Sequence, residues 1–283
     1  KFSMESHYSW HYYMFIQKVV VTVVDLDTLR ILYFQNEEPV PYKLKSGYEL
    51  KINPVRVKNW TNFENSLPLL TIRKNETNDI KVIQMSYLQF LHDIVIPSDE
   101  VYKYMFFNIM IQSLGEQIFY MDKSKGRSVI VIGNETGSVK GIITHKEFDE
   151  ISKIILFQNI VDYDDREVNP EVRAMMEEYQ SLKNKDIGSP SLERKKVYVI
   201  GRTGIPMREL NEMTYRTFSQ VYNSELESEL YIAQKIIQAS TKYDTGKENV
   251  IHPLFEKKKD PYAEMFLDNE GFQRKIDQVN NGM

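Results

Sequence analysis

The sequence contains no cysteine among its 283 residues. Thiolate nucleophiles, disulfide bridges and every zinc site built on cysteine are therefore excluded. Only five histidines remain for metal binding or acid–base chemistry. A chain without cysteine suits a reducing compartment, so we expect the protein to be cytoplasmic.

Long hydrophobic runs are also missing. The longest apolar stretch, residues 104–115, is far shorter than the roughly 20 residues that a membrane-spanning helix needs, and Asn108 and Gln112 interrupt it. Basic residues are not in excess either, because the formal net charge is −4 at pH 7. We therefore expect neither membrane insertion nor a general attraction to nucleic acid.

Aromatic residues and methionine are present in quantity: 18 Tyr, 14 Phe, 2 Trp and 12 Met. Hydrophobic residues make up 42% of the chain and charged residues 27%, which is the balance of a globular protein. Most of these large side chains should fill a core. The others predict protein–protein contacts, because Tyr, Trp and Met bury large areas and adapt to irregular partner surfaces.

Changes in the sequence pattern divide the chain into four parts and predict an α+β fold. The first part has β-branched and aromatic runs, the second adds a hairpin signal to helical spacing, the third is helical throughout, and the last is polar. In order, these are a β-rich N-terminal domain at residues 1–80, an α+β middle domain with central helices and a β-hairpin at 81–165, a helical bundle at 166–256, and a polar tail at 257–283.

Local signals predict individual elements. Residues 19–24 and 29–34 are β-branched or aromatic and predict strands on either side of a polar turn. Ser98 is a candidate N-cap for a helix whose apolar residues occupy most of its sides, which predicts deep burial. Residues 128–132 and 139–143 predict a hairpin. A further helix should begin at Thr144, because Glu147 stands at the spacing of a capping box.

Patterns of catalytic or metal-binding residues are weak in this sequence. His7 and His11 are four residues apart, but no glutamate follows the first histidine as it does in zinc proteases. His92 is not accompanied by a serine in a nucleophile-elbow motif. The aspartates at 25–27 and 162–165 could chelate magnesium, yet a turn and a solvated linker explain them more simply. We therefore predict no catalytic residue, no cofactor and no metal site.

Residues 192–220 have the outline of a helix-turn-helix: a helix, a glycine-bearing turn and a second helix. Arg208 and Arg216 are the candidate nucleic-acid contacts of this alternative interpretation. Residues 190–250 hold nine basic and eight acidic residues, a net charge of +1, which is small for a protein that binds phosphates. A bundle in which these helices pack together is therefore favoured, and we do not expect nucleic acid as a partner.

Two groups of aromatic residues lie in polar surroundings near the ends of the sequence. The N-terminal group predicts contacts with a partner, and the group in the tail could form a short helix that binds in a partner's groove or packs on its own domain. The candidate partner-binding residues are Trp10, Tyr12, Tyr13, Tyr262, Met265, Phe266 and Phe272.

Five ordered strings resemble a family encoded among the tail genes of bacteriophages that infect low-GC Gram-positive bacteria, often described as tail assembly chaperone-like. The N-terminal aromatic segment and the tail from His252 differ from the family pattern, and the resemblance assigns no site residues. The strings are PVPYKLKSGYELKINPVRVKNW (39–60), VIQMSYLQFL (82–91), GIITHKEFDEISKIILFQN (141–159), NPEVRAMMEE (169–178) and MRELNEMTYRTFSQV (207–221).

The resemblance implies a non-enzymatic role in phage tail morphogenesis, as an assembly chaperone or a minor structural component. Its partners would be other tail proteins, such as tube or tape-measure subunits, and it would act in the cytoplasm of the bacterial host or in the virion. Self-association is compatible with this role. The alternative is a phage-encoded regulator that binds a host protein, or DNA through the helix-turn-helix-like region.

Overall fold

The computed structural model describes residues 25–74, 79–116, 118–164 and 190–239. Helices predominate, with two small antiparallel sheets, so the fold is α+β as predicted. The strands are β1 Val40–Lys43, β2 Glu49–Ile52, β3 Phe119–Ser124, β4 Arg127–Gly133 and β5 Val139–Ile143. The helices are α1 Leu26–Leu29, α2 Trp60–Glu64, α3 Pro68–Thr71, α4 Ile80–Gln84, α5 Tyr87–Phe90, α6 Ile96–Ser98, α7 Glu100–Ile109, α8 His145–Asn159, α9 Leu192–Thr203, α10 Met207–Glu212 and α11 Tyr215–Ala239.

Three of these helices continue into wider, π-helical turns, and a 3-10 turn precedes α2. The π-helical turns are Arg30–Phe34 after α1, Leu91–Val95 after α5 and Met110–Leu114 after α7. The 3-10 turn is Val57–Asn59.

The strand predicted at residues 29–34 is wrong, because this segment is helical. Asp25 caps α1 by accepting a hydrogen bond from the backbone N–H of Asp27 at 3.2 Å. Leu29 and Phe34 are buried while Ile31 is exposed, which is the spacing of a wide helical turn rather than the alternation of a strand. The cap outweighs the β propensity of the segment. The strand predicted at residues 19–24 lies outside the described residues.

The first sheet is the β1–β2 hairpin, in which Val40 pairs with Ile52. Side chains alternate between buried and exposed along both strands, and Pro41 takes an exposed position. Helices α2 and α3 follow it directly, so residues 25–74 contain less strand than the sequence indicated.

The second sheet has the strand order β3–β4–β5. Strands β4 and β5 form the predicted hairpin, and Asn134 stabilises its turn by accepting hydrogen bonds from the backbone of Thr136 and Ser138. Sequence reasoning missed β3, because its second half, residues 122–124, is polar and exposed. The capping box that begins α8 is confirmed, with Thr144 and Glu147 each bonded to the other's backbone N–H.

Buried side chains from Leu29 to Leu156 form one large core, which crosses the predicted domain boundary at residues 80 and 81. A smaller core joins Val57 to Val199, Leu210 and Phe218. The chain divides into two compact units, one ending at Tyr222 and the other beginning at Asn223. In the described ranges, no helix has both the length and the hydrophobicity that crossing a bilayer requires.

Candidate protein-binding surface

Helix α7 begins at an aspartate rather than at the predicted serine. The side chain of Asp99 accepts a hydrogen bond from the backbone N–H of Val101 at 2.9 Å, which satisfies a donor of the first turn. Ser98 ends the preceding helix, where its hydroxyl donates to the carbonyl of Val95 at 2.7 Å. Aspartate suits the position, because its charge also interacts favourably with the helix dipole.

The inner side of α7 fixes how the helix is rotated against the core. Phe106, Ile109 and Met110 are buried there. The side-chain amide of Asn108 donates to the carbonyl of Asn62 at 2.6 Å and to the hydroxyl of Ser66 at 2.8 Å. Because these polar groups are inside the protein, turning the helix would leave them without partners.

The outer side of α7 carries large apolar side chains that face solvent. Tyr104 is 64% exposed and Ile111 is 44% exposed, with Phe107 between them at helical spacing. The deep burial predicted for this helix is therefore wrong for its outer side. The π-helical turn that continues α7 ends at Gly115, whose φ of 66° is left-handed and favours glycine.

The outer side of α7 contacts the start of β3 through one aromatic pair. The aromatic rings of Phe107 and Phe119 lie 4.9 Å apart between centroids, so they connect the helix to the start of β3. The neighbouring Ile118 lies over Gly133 instead, on the opposite side of the strand from Phe119. We call the surface formed by Tyr104, Phe107 and Ile111 the α7 face.

The α7 face is suited to binding another protein. Scattered exposed apolar residues are ordinary on a protein surface, but here three large ones lie together along one side of a helix and its continuing turn. Glu100 and Lys103, also exposed, supply charges of both signs beside it. An apolar centre with a polar rim is the usual anatomy of a protein–protein interface.

A serine, a histidine and an aspartate also come together in this fold, although they are distant in sequence. Nδ1 of His92 lies 3.0 Å from the hydroxyl of Ser128 and 3.8 Å from a carboxylate oxygen of Asp93. A catalytic triad needs the serine and the carboxylate on opposite ring nitrogens, and Ser128 is itself buried. Asp93 is further bonded to Lys123 at 3.1 Å. The cluster ties β4 to the preceding helices, and its geometry does not suit nucleophilic catalysis.

The two arginines of the helix-turn-helix interpretation have different environments. Arg208 is exposed on α10. Arg216 is buried, and its guanidinium donates to the carbonyl of Phe157 at 2.6 Å and lies within 3.4 Å of that of Ile160. Burial, with Arg30 nearby, lowers the pKa of Arg216 from its ordinary value. Because these bonds hold Arg216 inside the protein, it does not suit the nucleic-acid contact predicted for it.

The aromatic residues predicted to bind a partner all lie outside the described residues. These are Trp10, Tyr12, Tyr13, Tyr262, Met265, Phe266 and Phe272.

The sequence analysis did not select the α7 face, although residues 104, 107 and 111 have helical spacing. The spacing alone does not show which side of the helix points outward. That side is defined by Asn108, whose hydrogen bonds turn the opposite side inward. Among the described residues, no three His, Asp or Glu side chains are grouped to hold a metal ion.

Comparisons with known protein families, with curated proteins and with solved structures found no match.

Proposed function

We propose that this protein is a non-enzymatic component of bacteriophage tail assembly, either a chaperone-like factor or a minor structural protein, which works by binding other tail proteins. Its partners would be tube or tape-measure subunits, encountered in the cytoplasm of the bacterial host or retained in the virion. The tail assignment rests on the sequence resemblance. The mode of action rests on one structural observation, the α7 face.

The chemistry of the α7 face supports this mode of action. Tyrosine and phenylalanine bury large areas while fixing few side-chain torsions, so they lose little conformational entropy on binding. The two rings at 107 and 119 are already held in contact by the fold. A partner therefore meets a preorganised apolar surface, for which an apolar helix or strand of a tail subunit is a suitable ligand.

Co-purification tests the proposal. The full chain carrying an affinity tag is co-expressed with the tube subunit or the tape-measure subunit of its phage, and retained protein is quantified. We expect one of these subunits to be retained. Tyr104→Ser with Ile111→Ser should weaken its binding at least tenfold, about 1.4 kcal/mol, because apolar area is lost from the centre of the face.

Val197→Ser is the matched control, since Val197 is an exposed apolar residue on a different helix, α9. It should leave binding unchanged. Failure of the wild-type chain to retain either tail subunit, or retention of a host protein in their place, would contradict the tail assignment. Equal binding by the α7 variant and the wild-type chain would contradict the role of the α7 face.

A further inference from the structure

The distal part of α11, from Asn223 onward, exposes its apolar side. Leu226, Leu230 and Ile237 are between 38% and 56% exposed, and Ala233, which lies with them on one side of the helix, is exposed too. We call these four residues the α11 stripe. An amphipathic helix on a protein surface normally turns such a stripe inward.

The opposite side of the same helix shows the reverse pattern. Ser228, Tyr231 and Lys235 lie roughly half a turn from the stripe, and all three are partly buried, although Ser224 on the same side is exposed. The polar side of this segment is thus the more covered one, and the apolar side is the more open. This inversion distinguishes the stripe from the single apolar residues that every protein surface carries.

The spacing of the stripe is that of a coiled-coil seam. The intervals from 226 to 230, 233 and 237 are four, three and four residues, which assigns them to alternating d and a positions of a heptad. A seam of about three helical turns is short, and the stripe is symmetric about its midpoint. In an antiparallel pair of copies, Leu226 would lie opposite the partner's Ile237, and Leu230 opposite the partner's Ala233.

That arrangement forms well-matched layers. Each large side chain of the central layers meets an alanine, so the two helices can approach closely, and the outer layers pair leucine with isoleucine. Ile236, which is exposed beside the stripe, would add to the apolar area on one flank.

Charge favours the same antiparallel orientation. Between residues 223 and 239 every acidic residue, at 225, 227 and 229, lies in the first half. Antiparallel packing places Glu227 and Glu229, which flank the stripe, against the second half of the other copy, which has no acidic residue and one lysine, Lys235. Parallel packing would bring both acidic ends and both helix dipoles into alignment, which is repulsive.

From the exposure, the spacing and the charge distribution, we infer that the α11 stripe binds a second copy of this chain as an antiparallel helix pair. The inference is independent of the proposed function, because it uses a different surface. The contact is limited in size, since 17 residues of helix extend only about 25 Å. The dimer is therefore weak and forms with increasing concentration, and its dissociation constant lies in the micromolar range or above.

Sedimentation velocity of the full chain tests for this dimer. Between about 1 and 200 µM the wild-type protein should shift from monomer to dimer. Leu230→Glu should abolish the shift, because it places a charge in the central layer. Ile232→Glu is the matched control, since Ile232 is exposed on the same helix but off the stripe. A wild-type chain that stays monomeric over this range, or loss of the dimer in both variants, would overturn the inference.

Disulfide trapping tests the orientation, and the cysteine-free sequence gives it no background. Leu226→Cys and Ile237→Cys are oxidised separately and as a mixture. Antiparallel pairing predicts a disulfide only in the mixture, because position 226 of one copy faces position 237 of the other. A disulfide in either variant alone would show parallel pairing, and no disulfide in the mixture would show that these positions do not meet; either result contradicts the proposed pair.

Discussion

A single glycine decides how closely the first hairpin packs on the second sheet. Gly141 lies in β5, directly against the ring of Tyr48, and an added Cβ would come within 2.8 Å of a Tyr48 atom. The hydroxyl of Tyr48 donates to Glu116 at 2.8 Å, and the backbone N–H of Lys45 donates to Glu147 at 2.6 Å. These bonds hold the hairpin in place, so the ring cannot move aside freely.

Gly141→Ala should therefore lower the free energy of unfolding by about 1–3 kcal/mol, the usual cost of overpacking. Gly201→Ala is the control, because Gly201 lies inside α9 and a Cβ there meets no atom within 4 Å. That change should raise stability by roughly 0.5–1 kcal/mol, since alanine is the better helix former. Urea unfolding measures both, and a Gly141→Ala variant as stable as the wild type would contradict the close packing.

A partly buried carboxylate predicts a dependence of stability on pH. Burial raises the pKa of Asp149, and the nearby cations of His145, Lys74 and Lys153 only partly offset this. A raised pKa in the folded state means that the protonated form folds more favourably than the ionised form. The contribution of Asp149 to the free energy of unfolding is thus most favourable below the pKa of an aspartate in the unfolded chain, about 3.9. It is lost as the pH rises through the pKa of Asp149 in the folded protein.

Asp149→Asn removes the cost of burying an ionised carboxylate, so this variant should be more stable than the wild type at pH 7. The difference should shrink as the pH falls toward 4, where the wild-type carboxyl becomes neutral as well. Urea unfolding at the two pH values measures it. Asp149→Asn would contradict the prediction if it were less stable than the wild type at pH 7.

At the scale of the element, Arg216 joins the start of α11 to the end of α8. Helix α8 ends at Asn159 without a glycine cap, and its last carbonyls need donors. The guanidinium of Arg216 supplies them at Phe157 and Ile160, and its positive charge suits the C-terminal end of a helix dipole. The ring of Phe34 lies 5.7 Å from the same guanidinium.

Arg216→Met should lower the free energy of unfolding by about 2 kcal/mol, because buried carbonyls lose their donor. Glu212→Gln is a useful comparison, since Glu212 forms an exposed ion pair with Lys58 at 2.7 Å. That variant should change stability far less than Arg216→Met does, because exposed ion pairs contribute little. Chemical denaturation distinguishes the two, and equal effects would contradict the capping role of Arg216.

Elements that depend on nearby residues were predictable from the sequence. The Thr144–Glu147 capping box spans four residues and the β4–β5 turn spans five, so the residues themselves specify both. Helix α1 was not predictable, because the Asp25 cap and the β propensity of the next residues conflict. The outward side of α7 was not predictable either, because it depends on Asn108 reaching Asn62, 46 positions away.

At the scale of the whole molecule, the distribution of charge matters more than its sum. The net charge is −4, and residues 190–250, which include the helix-turn-helix-like segment, carry only +1. Of the two arginines predicted to contact nucleic acid, Arg216 is held by backbone carbonyls. The hydrogen bond from Lys58 is the main cause of the lowered pKa of the Glu212 carboxyl, and Arg208, the exposed arginine, lies close enough to add a smaller favourable interaction. Phosphate binding would have to compete with this acidic neighbour.

We therefore expect binding to a duplex of about 20 base pairs to be weak, with a dissociation constant above roughly 10 µM at physiological salt, as for nonspecific contacts. Fluorescence anisotropy over a series of salt concentrations measures it. The slope of log affinity against log salt concentration reports the number of phosphates that the protein neutralises. We expect Arg208→Gln to leave this slope unchanged, because Arg208 should contact no phosphate. A submicromolar affinity at physiological salt, with a slope that falls by about one on Arg208→Gln, would instead support the DNA-binding regulator.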